Sequence, residues 1–177
     1  MSDFIVSSSD GLKSALSKAK AGDNIFLKSG IYSGINIQGA NFSSDVNITS
    51  FDKNDQAKIT DLIIQKSSGI SLSNVILQPK QAASDYCFQV RNSSNIKIDS
   101  VHVFGKEGSA GYDHSPMMIR GSSNVSVTNS EFEHAWHGIN MLDNTGVVIA
   151  GNIFHDLRTD GVRGGGNSSV VIKNNFF

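Results

Sequence analysis

One cysteine, Cys87, in 177 residues excludes an internal disulfide, so the fold must be held by packing and hydrogen bonds alone. Cys87 lies in an apolar stretch and reads as a buried, inert thiol. Charge is also scarce. Only 18% of residues are charged and the net charge is -1, which excludes the strong field that would draw the chain to nucleic acid or to an anionic membrane. No apolar run approaches the roughly 18 residues that would read as a membrane-spanning helix. The opening Met1-Ser2-Asp3-Phe4 lacks a basic segment leading into an apolar one, so no classical signal peptide is expected. Virion-associated, non-classically secreted and cytoplasmic locations all stay open. Glycine, serine and asparagine are plentiful instead, a composition suited to a turn-dense all-β chain, and the length suits one domain with a real core.

Five segments then carry the same pattern at spacings of 22 to 29 residues. They start at Ile70, Ile96, Val125, Val147 and Val170. A second apolar residue follows two positions later in each, and a large apolar residue closes each one seven positions on: Leu77, Val103, Phe132, Phe154 and Phe177. A repeat of this length is one turn of a solenoid. Counting back eight and six residues from each start gives a second in-out-in strand: Leu62/Ile64, Phe88/Val90, Met117/Ile119, Ile139/Met141 and Val162/Gly164. Two or three short strands per turn, separated by Gly, Ser and Asn, predict a right-handed parallel β-helix of about seven coils. The positions four past each start (Asn74, Ser100, Asn129, Gly151, Asn174) and five past it (Val75, Val101, Ser130, Asn152, Asn175) read as an internal turn ladder, since Asn tolerates left-handed backbone.

Residues 9–19 predict the one helix, capped by Ser9 or Asp10, with Leu12, Ala15, Leu16 and Ala19 on one face and a stop at Gly22-Asp23. The expected division is a capping segment over residues 1–23 and the β-helix over residues 24–177. Phe176-Phe177 falls within an anchor strand, with no capping element after it. A longer form, a partner or a homo-oligomer such as a trimer is therefore expected to cover that coil.

Residues 4–77 resemble the opening of β-helical polysaccharide lyases of the chondroitinase B and alginate lyase type. The stretches that carry the likeness are Ser8-Ser-Asp-Gly-Leu-Lys-Ser-Ala-Leu16, Ala21-Gly-Asp-Asn-Ile-Phe-Leu27, Gly30-Ile-Tyr32 and Val46-Asn-Ile-Thr-Ser50. Later coils, such as Asp160-Gly-Val162, are similar to repeats of mannuronan epimerases, pectate-lyase-like proteins and, as a second choice, phage tailspikes. The resemblance implies an anionic, uronic-acid polysaccharide as partner, and lyase or C5-epimerase chemistry. The tailspike likeness implies a non-catalytic glycan- or receptor-binding element. In the lyases the catalytic Lys/Arg pair and the calcium-binding acids fall on coils further along than this chain extends. In the epimerases an Asp-Pro-His motif carries the chemistry, and here Asp113-His114 has no proline between its two members.

Stacked coils lie about 4.8 Å apart, so equivalent positions form rows. Ten residues before the starts come Tyr86, Ser115, His137 and Asp160. Seven before come Gln89, Met118, Asn140 and Arg163. Eleven before come Asp85, His114, Trp136 and Thr159. The long insertion over residues 104–116 adds Lys106, Glu107 and Tyr112 to the same side. Lyase or epimerase chemistry needs a cation to neutralise the substrate carboxylate, a base for the C5 proton and an acid. Arg163 or Arg120 suits the first role. His137, His114 or Tyr112 suits the others, with Asp160 beside them. Trp136, Asn140, Arg120 and Asp113 would bind the sugar. His102 reads as a solvated strand residue, and His134 and His155 as exposed or hydrogen-bonded turn residues. No residue is assigned as a metal ligand. Ca2+ is the one cofactor left open, through Glu131, Glu133, Asp156 and Asp160, which otherwise read as a solvated edge.

Overall fold

A computed structural model describes residues 1–79, 86–105 and 116–177. The chain winds into a solenoid with three parallel sheets, one of eight strands and two of six. One coil illustrates the plan. Phe88–Arg91 lies in the first six-stranded sheet, Ser94–Asp99 in the eight-stranded sheet and His102–Phe104 in the second six-stranded sheet. The next coil repeats it with Met117–Arg120, Ser123–Thr128 and Glu131–Glu133, and the one after with Ile139–Leu142, Thr145–Ala150 and Ile153–His155.

The register is the one the repeat predicts. Leu62, Phe88, Met117, Ile139 and Val162 stack, as do Ile70, Ile96, Val125 and Val147. Period-two alternation turns one residue in two inward, so each coil adds aliphatic side chains to a single continuous core. Burying each such side chain contributes about 1.5–3 kcal/mol. In the second six-stranded sheet the inward row changes from aliphatic to aromatic. Leu77 and Val103 give way to Phe132 and Phe154, whose rings stack at 4.9 Å, and Phe154 stacks on Phe177 at 5.2 Å.

Two corners are held by side chains. Asn74, Ser100, Asn129 and Asn174 adopt left-handed backbone, as expected of the ladder. The residue after them does the bonding. Asn152 Oδ1 accepts from the Ser130 amide, Asn175 Oδ1 from the Asn152 amide, and Asn152 Nδ2 donates to the Val127 carbonyl. A second ladder, which the repeat does not advertise, runs through Ser67, Ser93, Ser122, Asn144 and Asn167. Each amide donates to the side chain one coil further on. These bonds satisfy polar backbone that the bends would otherwise strand in the core.

The structure has about six turns where about seven were expected: beyond the capping strand, seven strands stack in the eight-stranded sheet but only six in each of the other two. Strand Asp3–Val6 pairs directly with Asn24–Leu27, and the helix Ser9–Lys18 bridges them in place of the other two sides. The helix is capped by Ser8, whose hydroxyl accepts from the Gly11 amide, one residue before the predicted cap. Leu12 and Ala15 seat it on the core. Among the described residues no helix is long and apolar enough to cross a membrane.

Candidate functional site

The loops between Glu131–Glu133 and Ile139–Leu142, and between Ile153–His155 and Val162–Gly165, stack on each other. The Arg158 amide donates to the Ala135 carbonyl, Thr159 to Trp136, and Gly138 to Asp160. This sets His137 beside Asp160 and Trp136 beside Thr159, as the rows predict. Glycine is required underneath. A Cβ on Gly138 would lie 2.5 Å from the Gly161 carbonyl oxygen and 2.7 Å from the Phe154 ring, and one on Gly161 would lie 2.6 Å from Phe177. The aromatic stack therefore presses directly against the backbone that carries His137 and Asp160.

His137 is buried, only 6% exposed, yet both ring nitrogens are satisfied. Arg163 Nη1 lies 2.8 Å from His137 Nε2. A guanidinium can only donate, so Nε2 is the unprotonated nitrogen and Nδ1 carries the hydrogen. That hydrogen is donated to Thr159 Oγ1, and the Thr159 hydroxyl donates to the Trp136 carbonyl. Asp160 Oδ2 stands 3.4 Å from Nδ1. Burial, and then the neighbouring Arg163 charge, hold the His137 pKa below its ordinary value; Asp160 opposes them more weakly. The imidazole is thus neutral, with a fixed tautomer and its lone pair under Arg163.

Asn140 pairs in register with Arg163, and its Nδ2 donates to the Tyr86 phenol oxygen. Tyr86 opens a groove of about 450 Å3, also lined by Gln89, Arg91, Asn92, Met118 and Arg120. In register, Arg91 stacks on Arg120, and Gln89, Met118, Asn140 and Arg163 form one row. His137, Asp160, Arg163 and Asn140 therefore do come together, with Arg120 along the same sheet. Trp136 lies beside His137, but Arg158 already covers its ring, with the guanidinium carbon 4.4 Å from the centroid. His114, Tyr112 and Asp113, with Lys106 and Glu107, lie outside the described residues. Tyr86 is the groove residue to which the sequence assigns no role. It stands in the same row as His137, and that shared offset was the available signal.

The acids expected to gather around Ca2+ divide. Asp160 faces His137. Glu131, Glu133 and Asp156 stand on the adjoining sheet among His102, His134 and His155. Calcium takes six to eight oxygen ligands. Among the described residues the His137 site offers one carboxylate and one hydroxyl, so its donor set does not fit that ion. His102 is not the solvated residue expected, because it pairs with Glu131 and Glu133; His134 and His155 are hydrogen-bonded, as expected, to Glu133 and to Asp156 and Glu131.

A coiled stack of three parallel sheets, with polar rows on its outer faces, defines a β-helical solenoid. The chain belongs to the right-handed β-helix family: the profile of the right-handed β-helix region matches residues 22–177. Among solved structures, the chain is similar to an alginate lyase from Paenibacillus sp. str. FPU-7, at a TM-score of 0.81 and 15% identity, over 98% of this chain and 65% of that one. It thus spans just under two thirds of that lyase's length. It is also similar to a protein provisionally named a glycosyl hydrolase from Parabacteroides merdae ATCC 43184, at a TM-score of 0.60 and 11% identity, over 98% of this chain and 96% of that one. None of the curated proteins matches this chain by sequence. At these identities the structural likeness establishes the fold.

Proposed function

We propose that this chain acts on an anionic, uronic-acid polysaccharide, and that its chemistry starts by removing the C5 proton of a uronate. The observation that carries this reading is the Arg163 guanidinium resting on the lone pair of a neutral, buried His137. Cation and base are held together and mask each other until an anion arrives. A substrate carboxylate draws Arg163 to itself, and the same movement uncovers His137 Nε2. Neutralising the carboxylate lowers the cost of the enediolate that forms when the C5–H bond breaks. His137 Nε2 takes that proton, while the Nδ1–Thr159–Trp136 chain keeps the ring oriented.

Two outcomes follow from the same carbanion. In a lyase the C4–O bond breaks, C4=C5 forms, and the leaving oxygen takes a proton from Tyr86. In an epimerase Tyr86 returns a proton to the opposite face of C5. Asn140, donating to the phenol oxygen, stabilises the phenolate left behind. Arg120, on the neighbouring groove, suits the carboxylate of an adjacent sugar. The similarity to an alginate lyase supports the substrate class.

The test is incubation with alginate, pectate and chondroitin. Lyase chemistry gives an unsaturated uronate that absorbs in the ultraviolet. Epimerase chemistry gives deuterium at C5 in heavy water without chain cleavage. Glycan binding with neither signal would overturn the catalytic reading and leave a binding module.

A further inference from the structure

The second six-stranded sheet carries a constellation that the sugar chemistry does not use. Its outward positions form a small lattice, because His102 pairs in register with Glu131, and Glu133 with His155. Two glutamates of one coil thus lie between a histidine of the coil before and a histidine of the coil after. His102 Nε2 is 2.7 Å from Glu133 Oε1 and 3.5 Å from Glu131 Oε2. His155 Nε2 is 2.9 Å from Glu131 Oε1. One donor atom each from His102, Glu131 and Glu133 lies within 4.8 Å of the other two.

Three of these groups are held from behind. Asp156 Oδ2 is 2.9 Å from His155 Nδ1, which leaves Nε2 to face Glu131. His134 Nδ1 is 2.6 Å from the second oxygen of Glu133, which leaves Oε1 to face His102. The His102 ring lies against Phe104, with centroids 3.8 Å apart. A carboxylate on the far nitrogen of a ligand histidine is the support that metal sites use to fix ring and tautomer. The β strands beneath are in unbroken register, so the donors need little reorganisation.

We infer that His102, Glu131, Glu133 and His155 form a binding site for a borderline divalent transition ion such as Zn2+ or Co2+, supported by Asp156 and His134. Two imidazole nitrogens and two carboxylate oxygens suit such ions and not Ca2+ or Mg2+, which select all-oxygen shells. A groove of about 340 Å3, which His102 and Glu131 also line, opens beside the cluster and would let a further ligand reach the ion.

The test is titration of tag-free, chelator-treated protein with Co2+ alone and Zn2+ alone, by absorption spectroscopy and calorimetry. The expected result is one ion per chain, with the visible Co2+ band of a low-coordinate nitrogen/oxygen site. His102→Ala, Glu133→Gln and His155→Ala each weaken binding by at least about tenfold, as does the supporting change Asp156→Asn. His137→Ala leaves binding unchanged, so this result stands or falls separately from the sugar chemistry. These side chains all lie on the outer face, and melting curves confirm that the variants remain folded. No binding, undiminished binding in the His102→Ala/His155→Ala double variant, or equal affinity for Ca2+ would overturn the site.

Discussion

Two faces of this solenoid place histidine beside charge, and they do so with opposite partners. At the edge of the first six-stranded sheet, in the loop before Ile139–Leu142, His137 is buried under Arg163 and kept neutral. On the second, His155 is bracketed by Asp156 and Glu131, which raise its pKa. The same residue type is thus a neutral imidazole under a cation on one side and a ring among carboxylates on the other. The coil makes the contrast easy to build. A side chain's partner is whatever occupies the same offset one turn away, so a single change in the next repeat changes the chemistry. Both faces share one floor. Phe132 points inward between Glu131 and Glu133, Phe154 points inward between Ile153 and His155, and the same stack presses on Gly138 and Gly161 beneath His137.

The sharpest way to break the contrast is to remove each histidine in turn. His137→Ala is expected to lower turnover of a uronate polymer by about 10²–10⁴-fold, the usual contribution of a general base, whereas His155→Ala leaves it near the wild-type rate. Steady-state kinetics on whichever polymer proves to be the substrate checks this. Equal losses in the two variants would erase the distinction.

The shared floor is tested by Phe154→Ala. Phe154 is 2% exposed and stacked on both sides, so its truncation should cost about 3–5 kcal/mol in denaturant unfolding. Both faces should loosen together. Loss at one face alone would mean that they are supported independently.

A smaller effect is expected at the corner ladder. Asn152→Ala leaves the Ser130 amide and the Val127 carbonyl without their partner, at about 1–3 kcal/mol, with turnover and metal binding retained. Unfolding midpoints measured alongside the Phe154 variant would separate scaffold from site.

The smallest effect is the response to pH, and its sign differs between the faces. The folded-state pKa of His137 is depressed below 6.5. Its contribution to stability is therefore present above that value and is lost as pH falls from there through the folded pKa. The folded-state pKa of His155 is raised above 6.5. Its contribution is complete below 6.5 in the metal-free protein and is lost as pH rises through the folded pKa. NMR titration of the two ring signals should place them on opposite sides of the ordinary value. Arg163→Ala should move His137 upward and leave His155 unchanged. A common midpoint would contradict the assignment of partners.

Much of the architecture is legible in the amino-acid sequence. The starts at Ile70, Ile96, Val125 and Val147 and the companion rows from Leu62 to Val162 are aliphatic at fixed offsets, and a parallel stack has no other register that buries both sets. The helix was visible in its apolar face and its cap within one residue. The serine and asparagine ladder from Ser67 to Asn167 was not, because a serine at a bend looks the same whether it faces water or a neighbouring amide. The Asp3–Val6 strand was missed because four residues without a repeat behind them carry little pattern. At the site, the rows placed His137, Asp160, Asn140 and Arg163 correctly, since each is a simple offset from an anchor. They could not say that Arg163 covers His137, that Arg158 occupies the Trp136 ring, or that His102 and His155 both reach Glu131.

Those are questions of rotamer and direction, and offset along a chain is silent on them. What the amino-acid order determined by itself was the winding: alternating apolar residues at a near-constant period leave one way to close a core, and that places every residue on a given face and coil. What only the folded molecule decided was which outward groups touch, and therefore their charge states. A hydrogen bond of 2.8 Å depends on where two long side chains end and not on where they begin. Whether a histidine is a neutral base or a donor among carboxylates follows from that last contact.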